Sequence, residues 1–182
     1  MKNKHSQLLV LDALRFFVEN PLEEVYLRDF ARRMEISPNS AQRFLDSFVE
    51  KKFVIDERKG NMRYFRSNLD SITFRQIKIV FSLECIENSG FIEACREMDV
   101  THCVLFGSIA KGLDDKESDI DFVLIGNKIK PNFREFEKKL GREIQVKFFS
   151  WDEWKKQAQT NKAFYQDVIT QGIAIIGGMP LV

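Results

Sequence analysis

Two aspartates separated by one residue are the first feature of this sequence that could do chemistry. Asp119 and Asp121 lie in the segment Ser-Asp-Ile-Asp, and apolar residues follow them directly. In an extended segment, residues i and i+2 point to the same side, roughly 6.5–7 Å apart. Two carboxylates on one side repel each other unless a cation lies between them, and such oxygen ligands select hard divalent ions. The pair therefore predicts a site for Mg²⁺ or Mn²⁺.

A Gly-Ser pair upstream supplies the features of a phosphate site. Gly107-Ser108 follows an apolar segment, and Ser108 precedes Asp119 by eleven residues. Glycine leaves the backbone open to close approach, and the amides that follow it can hold phosphate at a helix start. Ser108 adds a hydroxyl group, and Lys111 adds a cation one turn further on. Metal ligands facing a phosphate site are the components that nucleotidyl transfer needs. The alternative interpretation is a polar loop with capping aspartates.

The apolar pattern around these residues predicts the elements that position them. The predicted order is a strand over 101–106, a turn at 107–108, a short helix over 109–112, a polar loop over 113–117 and a strand over 118–125. Downstream, the pattern predicts a strand over 142–149, helices over 151–159 and 164–169, and a terminal strand over 173–176. Trp151 and Trp154 are interpreted as packing residues rather than base-stacking ones.

The same residues resemble the signature of a known family. Gly107-Ser108-x-Ala110-Lys111-Gly112, then five residues, then Ser118-Asp119-x-Asp121 is similar to the motif of the DNA polymerase β-like nucleotidyltransferase superfamily, and particularly of its minimal nucleotidyltransferases. The resemblance implies a small mixed β-sheet with flanking helices and metal-dependent transfer of a nucleoside monophosphate, such as AMP from ATP, to an acceptor. It implies that Asp119 and Asp121 are catalytic metal ligands. The nucleotide-binding residues would be Gly107, Ser108, Lys111, Gly112 and Ser118.

One departure from the family pattern concerns a third carboxylate. Active members usually carry it on a later strand, where it acts as a base and binds a second metal. Here the expected position falls on Gln145, whereas Glu143 lies two residues earlier and would project from the same strand face. Either Glu143 substitutes as the catalytic carboxylate, or the site lacks one charge. An amide oxygen can bind a metal, but an amide cannot act as a base near neutral pH.

The first 67 residues have a different pattern, in which three helices precede a hairpin. The first predicted helix ends at Asn20-Pro21, the second covers 27–34, and the third begins after Ser37, a typical N-cap followed by proline. Two short apolar segments flank the polar turn 57–61 and predict the hairpin. This order resembles a winged helix-turn-helix. The predicted fold class is therefore α+β, with a winged helix-turn-helix over 1–67, a helical connector over 68–98 and a nucleotidyltransferase-like domain over 99–182.

If this second resemblance holds, the third helix is the recognition helix of a DNA-binding domain. The residues that would contact DNA are Asn39, Ser40, Gln42 and Arg43 on that helix and Arg58, Lys59 and Arg63 on the hairpin. Asn, Gln and Arg side chains have the hydrogen-bonding geometry for base edges, and the hairpin cations would meet phosphates. Winged helices also dock proteins or dimerise, and Asp46 and Glu50 on the same helix would repel phosphate. A solvated polar face is the alternative interpretation.

Composition and charge leave both classes of function open. The chain has 182 residues, 44% hydrophobic and 30% charged, which is typical of a soluble globular protein. The net charge is +1, divided into +3 over residues 1–67 and −2 over the remainder. Three cysteines without metal-ligand spacing are interpreted as reduced, mostly buried thiols. No signal peptide and no membrane-spanning apolar run are predicted, so we expect a cytoplasmic protein.

Three hypotheses follow from these patterns. The first is an enzyme that uses a nucleoside triphosphate and modifies an acceptor, for which the resemblance suggests a separate HEPN-type protein. The second is a transcription regulator that binds double-stranded DNA and whose nucleotidyltransferase-like half only binds nucleotide. The third is a scaffold, such as a homodimer, with neither activity.

Overall fold

The computed structural model describes residues 2–127 and 132–182. Met1, the first residue of the predicted winged helix-turn-helix, lies outside the described residues. The chain divides into two compact units, Met1–Lys78 and Ile79–Val182. Both units combine helices with a small β-sheet, as expected for the α+β class. Among the described residues, no helix has both the length and the apolar character that crossing a bilayer requires. The predicted domain boundaries after residues 67 and 98 stay predictions.

The N-terminal unit consists of three helices and a three-stranded antiparallel sheet. Its elements are α1 (Lys2–Glu19), β1 (Val25–Tyr26), α2 (Leu27–Arg33), α3 (Pro38–Glu50), β2 (Val54–Lys59) and β3 (Met62–Ser67), with the strands in the order β1-β3-β2. Helix α3 starts where the sequence predicts, because the Ser37 hydroxyl accepts a hydrogen bond from the Ser40 amide at 3.1 Å. Strand β1, which the sequence pattern did not predict, pairs Val25 with Phe65.

Aromatic side chains fill the core of this unit. Phe17, Phe30 and Phe48 come from the three helices. The ring centroid of Phe17 lies 5.4 Å from that of Phe30 and 6.1 Å from that of Phe48. Phe65 adds a fully buried ring from the sheet. Because each helix contributes a buried aromatic residue, this core orients α3 and leaves the opposite side of α3 exposed.

The C-terminal unit is built around a four-stranded mixed sheet. Its elements are α4 (Ile72–Ser89), which begins in the first unit, α5 (Phe91–Glu97), β4 (Val100–Phe106), α6 (Gly107–Ala110), β5 (Ile120–Gly126), α7 (Arg134–Leu140), β6 (Ile144–Phe149), α8 (Trp151–Thr160), α9 (Lys162–Gln171) and β7 (Ile173–Ile176). The strand order is β6-β5-β4-β7, in which β5 and β6 are parallel and the other pairs are antiparallel.

Each face of this sheet packs against helices. On one face Phe91 of α5 stacks on Phe122 of β5 with ring centroids 4.5 Å apart, and α7 packs on the same cluster. Cys95 and Cys103 are buried there, whereas Cys85 is exposed. On the other face Trp154 of α8 and Val168 of α9 are fully buried. Two covered faces explain why the central strands β4 and β5 are nearly continuous apolar runs.

Several predicted boundaries differ from those observed, and two of them lie at the site. Strand β5 begins at Ile120, so Asp119 immediately precedes the strand instead of lying inside it. Helix α6 begins at Gly107 and ends at Ala110, two residues earlier than predicted. Helix α7 was not predicted, because its polar sequence contains few apolar residues at helical spacing.

Candidate functional site

The register of the sheet sets the direction of Asp121. Asp121 pairs with Phe106 of β4 on one side and with Gln145 of β6 on the other, so the three residues form a row across the sheet. Paired residues point to the same face, and Phe106 belongs to the cluster on the α8/α9 face. Ile120 points the opposite way into the apolar core, and its amide donates to the carbonyl oxygen of Glu143 at 2.9 Å. Asp121 is therefore held at the α8/α9 face with its backbone tied to β6.

Gly107 lies directly against this carboxylate. Its φ of +76° is in the left-handed region, where side chains are strained. A Cβ atom at this position would lie only 3.2 Å from Cγ of Asp121 and closer still to its Oδ2 atom. Glycine is thus required here for both conformation and space. The contact brings the Gly-Ser turn and the second aspartate together, and their role as one binding site stays a prediction.

The carboxyl group of Asp121 is in an unfavourable electrostatic setting when ionised. Burial raises its pKa above the usual value, the negative charge of Asp119 raises it further, and the charge of Lys147 lowers it in part. Within the described ranges, no group of three or more His, Cys, Asp or Glu residues is arranged to hold a metal ion. The acidic residue whose charge acts on Asp121 is Asp119. Two carboxylates fit a single hard divalent cation whose other ligands are water or phosphate oxygens.

The remaining predicted nucleotide-binding residues have local partners. Lys111 Nζ is 2.8 Å from Asp167 Oδ1 on α9. Ser118 donates to Asp115 Oδ1 at 2.9 Å and accepts from the Asp115 amide at 3.0 Å, and the Ser118 hydrogen bond is the main cause that lowers the pKa of Asp115. Gly112 is buried with a φ of +65°. Lys111, Gly112 and Ser118 therefore shape the loop between α6 and β5.

The structure places the two candidates for the third acidic position differently. Gln145 is exposed and lies opposite Asp121 in the parallel pair. Glu143 is exposed just before β6 and lines a surface cavity of about 360 Å³. The other residues that line this cavity are Arg134, Glu137, Lys138, Gly141 and Arg142. The catalytic role of Glu143 stays a prediction.

Sequence reasoning missed two features near the aspartates. Arg142 Nη1 lies 3.0 Å from Oδ2 of Asp114, which is 3% exposed, and this ion pair fastens the loop before β5 to the segment before β6. Lys147 is two residues after Gln145 and thus shares its face of β6. The period-2 pattern of the strand could have identified Lys147, but nothing in the sequence pairs Arg142 with Asp114.

The predicted DNA-contacting residues of α3 divide into two groups. Asn39 and Arg43 are exposed. Ser40 Oγ lies 3.0 Å from Ser37 Oγ, and Gln42 donates to Asp46 at 2.7 Å. Asn39 and Arg43 are therefore the more accessible members of the set.

The predicted DNA-contacting residues of the hairpin also divide into side chains paired with carboxylates and one exposed side chain without an ion pair among the described residues. Arg63 binds Asp46 and Asp56, each at 2.6 Å, and Lys59 binds Glu24 at 2.5 Å. The Gln42 hydrogen bond and then that of Arg63 lower the pKa of Asp46, so this carboxylate stays ionised. Arg58 is exposed, and neither it nor Arg43 forms an ion pair with any of the described residues.

Comparison with known families agrees with the first resemblance. Residues 89–168 match the nucleotidyltransferase domain family. The matched segment extends from the end of α4 into α9, so it contains Gly107, Asp119, Asp121 and Gln145. No curated protein shows a significant match to the chain.

Proposed function

We propose that this chain is a nucleotidyltransferase that moves a nucleoside monophosphate, AMP from ATP as the first candidate, to an acceptor. The observation that carries the proposal is the contact between Gly107 and Asp121, beside Asp119, inside the segment that matches the nucleotidyltransferase domain family. Phosphates bound at the Gly-Ser turn would lie next to the acidic pair. The acceptor is proposed to be a separate protein, with a HEPN-type protein as the first candidate.

Asp119 and Asp121 are the residues that would hold Mg²⁺ or Mn²⁺ in this proposal. The bound ion supplies charge neutralisation at the phosphates and polarises the phosphoryl oxygen. The raised pKa of Asp121, caused first by burial and then by Asp119, supports this assignment, because a cation would relieve the same repulsion. Ser108 is half-buried at the start of α6, where its hydroxyl can donate to a phosphate oxygen.

Calorimetry with Mg²⁺-ATP tests the binding step. We expect Asp119→Asn/Asp121→Asn to lose at least about tenfold in affinity, because the ion loses its two charged ligands. The matched control is Asp152→Asn/Glu135→Gln, which removes two exposed carboxylates on α8 and α7. Equal affinity of the wild type and the Asp119/Asp121 variant would contradict the proposal. Incubation with α-labelled ATP, Mg²⁺ and cell lysate then tests transfer to an acceptor.

A second candidate function is DNA binding by the N-terminal unit. We propose that residues 1–67 form a winged helix-turn-helix with α3 as its recognition helix and the β2–β3 hairpin as its wing. Asn39 and Arg43 on the exposed start of α3, together with Arg58 on the hairpin, support this proposal. In this alternative the nucleotidyltransferase-like half binds nucleotide without catalysis. Metal-dependent release of pyrophosphate would separate the first function from this alternative, and loss of duplex binding with rising salt would separate the alternative from a scaffold with neither activity.

A further inference from the structure

Lys147 is a basic residue on the sheet face that carries Asp121. It lies opposite Val123 in the parallel β5–β6 register, and Asp121 and Val123 share one face because they are two residues apart. Lys147 therefore lies one row from Asp121 and on the same side of the sheet. Its Nζ atom is 5.5 Å from the ring centroid of Phe164, and this ring packs against Phe106, the cross-strand partner of Asp121.

The ammonium group acts on Asp121 electrostatically. The β5–β6 register places the two groups one row apart on the same face, so the positive charge of Lys147 acts on the Asp121 carboxylate without a direct ion pair. Across the parts of the chain that the structure describes, Lys147 forms no ion pair within contact distance, whereas Lys111 is bound to Asp167 at 2.8 Å. Of these two lysines, Lys147 is thus the one whose charge is not already neutralised by a carboxylate.

The charges of the two aspartates, one divalent ion and a triphosphate do not balance without a further cation, which Lys147 can supply. One divalent ion between Asp119 and Asp121 makes a neutral cluster, and Gln145 adds no charge. A nucleoside triphosphate keeps a net negative charge after it binds one divalent ion, so its phosphates require a further cation. A second metal ion would need another acidic ligand, and the position opposite Asp121 on β6 is occupied by Gln145, whose side chain is neutral.

We propose that the ammonium group of Lys147 binds the triphosphate of the nucleotide beside Asp121, in place of a second metal ion. This inference rests on the proposed function and adds that the site uses one divalent ion together with one lysine. Lys147 is exposed, and its Nζ atom lies over the Phe164 ring, a contact that favours a position of the ammonium group near the row formed by Phe106, Asp121 and Gln145. The predicted selectivity is for triphosphate over monophosphate, because a monophosphate lacks the β- and γ-phosphates that the lysine would contact.

Calorimetry on the full-length chain tests the proposal with Mg²⁺-ATP and AMP as probes. We expect Lys147→Met to weaken Mg²⁺-ATP binding about tenfold or more and to change AMP binding by about twofold or less. Lys147→Arg should recover most of the affinity because it keeps the charge. Lys155→Met, on the exposed side of α8, is the matched control and should behave as the wild type. Lys147→Gln serves as a second neutral variant if Lys147→Met does not fold.

The outcomes separate this inference from the proposed function. If the wild type fails to bind Mg²⁺-ATP, the proposed function itself is wrong. If the wild type binds but both neutral variants bind Mg²⁺-ATP equally well, Lys147 does not contact the phosphates and the inference is overturned. Electron paramagnetic resonance of Mn²⁺ gives an independent readout in the complex with a non-hydrolysable triphosphate. One ion per chain supports the inference, and two ions per chain would overturn it.

Discussion

At the scale of single residues, the ionised carboxylates of the acidic pair destabilise the folded protein. Asp121 is partly buried at the sheet face, beside a second carboxylate and against the backbone of Gly107. Burial and the charge of Asp119 make its ionised form costly, so the folded chain without metal is destabilised by the group that would bind the metal. Such strain is typical of functional sites and leads to measurable pH and metal effects.

Asp121→Asn should therefore stabilise the metal-free protein at neutral pH. The pKa of Asp121 is raised on folding, so its ionised form lowers the free energy of unfolding above that pKa, and the penalty disappears as pH falls towards and below the ordinary aspartate pKa of 3.8. We expect a gain of about 0.5 kcal/mol after solvent screening is allowed for, or roughly 1–2 °C in Tm. Thermal unfolding of both proteins from about pH 7 down to about pH 3.5 measures the difference.

The control is Asp46→Asn, which should lower stability at neutral pH, because hydrogen bonds from Gln42 and then Arg63 depress the pKa of Asp46. Added Mg²⁺ should raise the Tm of the wild type and leave that of Asp121→Asn unchanged. A destabilised Asp121→Asn protein at neutral pH would contradict our account of this residue.

The second prediction at this scale concerns the third acidic position. Gln145 lies opposite Asp121, so Gln145→Asp would place a carboxylate in the same row. We expect transfer by the wild type to be slow and Gln145→Asp to raise turnover by roughly tenfold to a hundredfold, since a well-placed base replaces a misplaced one. Glu143→Ala should lower wild-type turnover. Single-turnover assays with labelled ATP give both rates, and an inactive Gln145→Asp protein would favour the nucleotide-sensing alternative.

At the scale of elements, the turn from β4 into α6 decides whether the site can form. Gly107 has a left-handed φ and touches Asp121, whereas Gly141 at the end of α7 has a similar φ of +66° and open space within 4 Å of the point that a Cβ atom would occupy. The two glycines therefore separate backbone strain from steric conflict. Only the first should transmit its effect to the acidic pair.

Gly107→Ala and Gly141→Ala should therefore cause similar backbone strain but have different effects on Mg²⁺-ATP affinity. Both replacements are expected to cost about 1 kcal/mol for the left-handed backbone. Gly107→Ala should cost further stability and reduce Mg²⁺-ATP affinity at least about tenfold, because its Cβ displaces the Asp121 carboxylate. Denaturant unfolding and calorimetry on both variants test this. Similar Mg²⁺-ATP affinity in the two variants would show that Asp121 is not displaced or does not matter.

At the scale of the whole molecule, the two units divide the proposed functions between them. Residues 1–67 carry a net charge of +3 and the remainder −2, so the basic part coincides with the proposed DNA-binding helix and hairpin. Several of those basic side chains are already bound to carboxylates of their own unit, which limits how many phosphates they can neutralise.

Salt dependence of duplex binding should distinguish the free cations from the bound ones. Arg58→Ala should reduce the slope of log K against log salt by about one, the loss of one phosphate contact. Arg63→Ala should change it less, because Arg63 is held by Asp46 and Asp56. Arg43→Ala should relax sequence preference and cost about 1–3 kcal/mol on the preferred site. If the full-length chain retains no duplex at low salt, the DNA-binding proposal fails.

Features that depend on a few neighbouring residues could be predicted from the amino-acid order alone. Ser37 caps α3 as predicted, and Ser150 caps α8 at the start of the helix predicted over 151–159, because an N-cap hydroxyl accepts a hydrogen bond from an amide three residues away. Alternating and continuous apolar runs predicted the strands other than β1, and the spacing of Gly107 and Asp121 suggested the candidate site. These signals are local, so no knowledge of the fold was needed to read them.

Contacts between distant residues, in contrast, depend on how the whole chain folds. The contact of Gly107 with Asp121, the position of Gln145 opposite Asp121 and that of Lys147 one row away follow from the β4–β5–β6 register. The Asp114–Arg142 pair joins residues 28 apart in the sequence. The pairing of Arg63 with Asp46 shows the same effect in the other unit. Such partners are selected by strand pairing and packing of the whole unit, which local propensities do not encode.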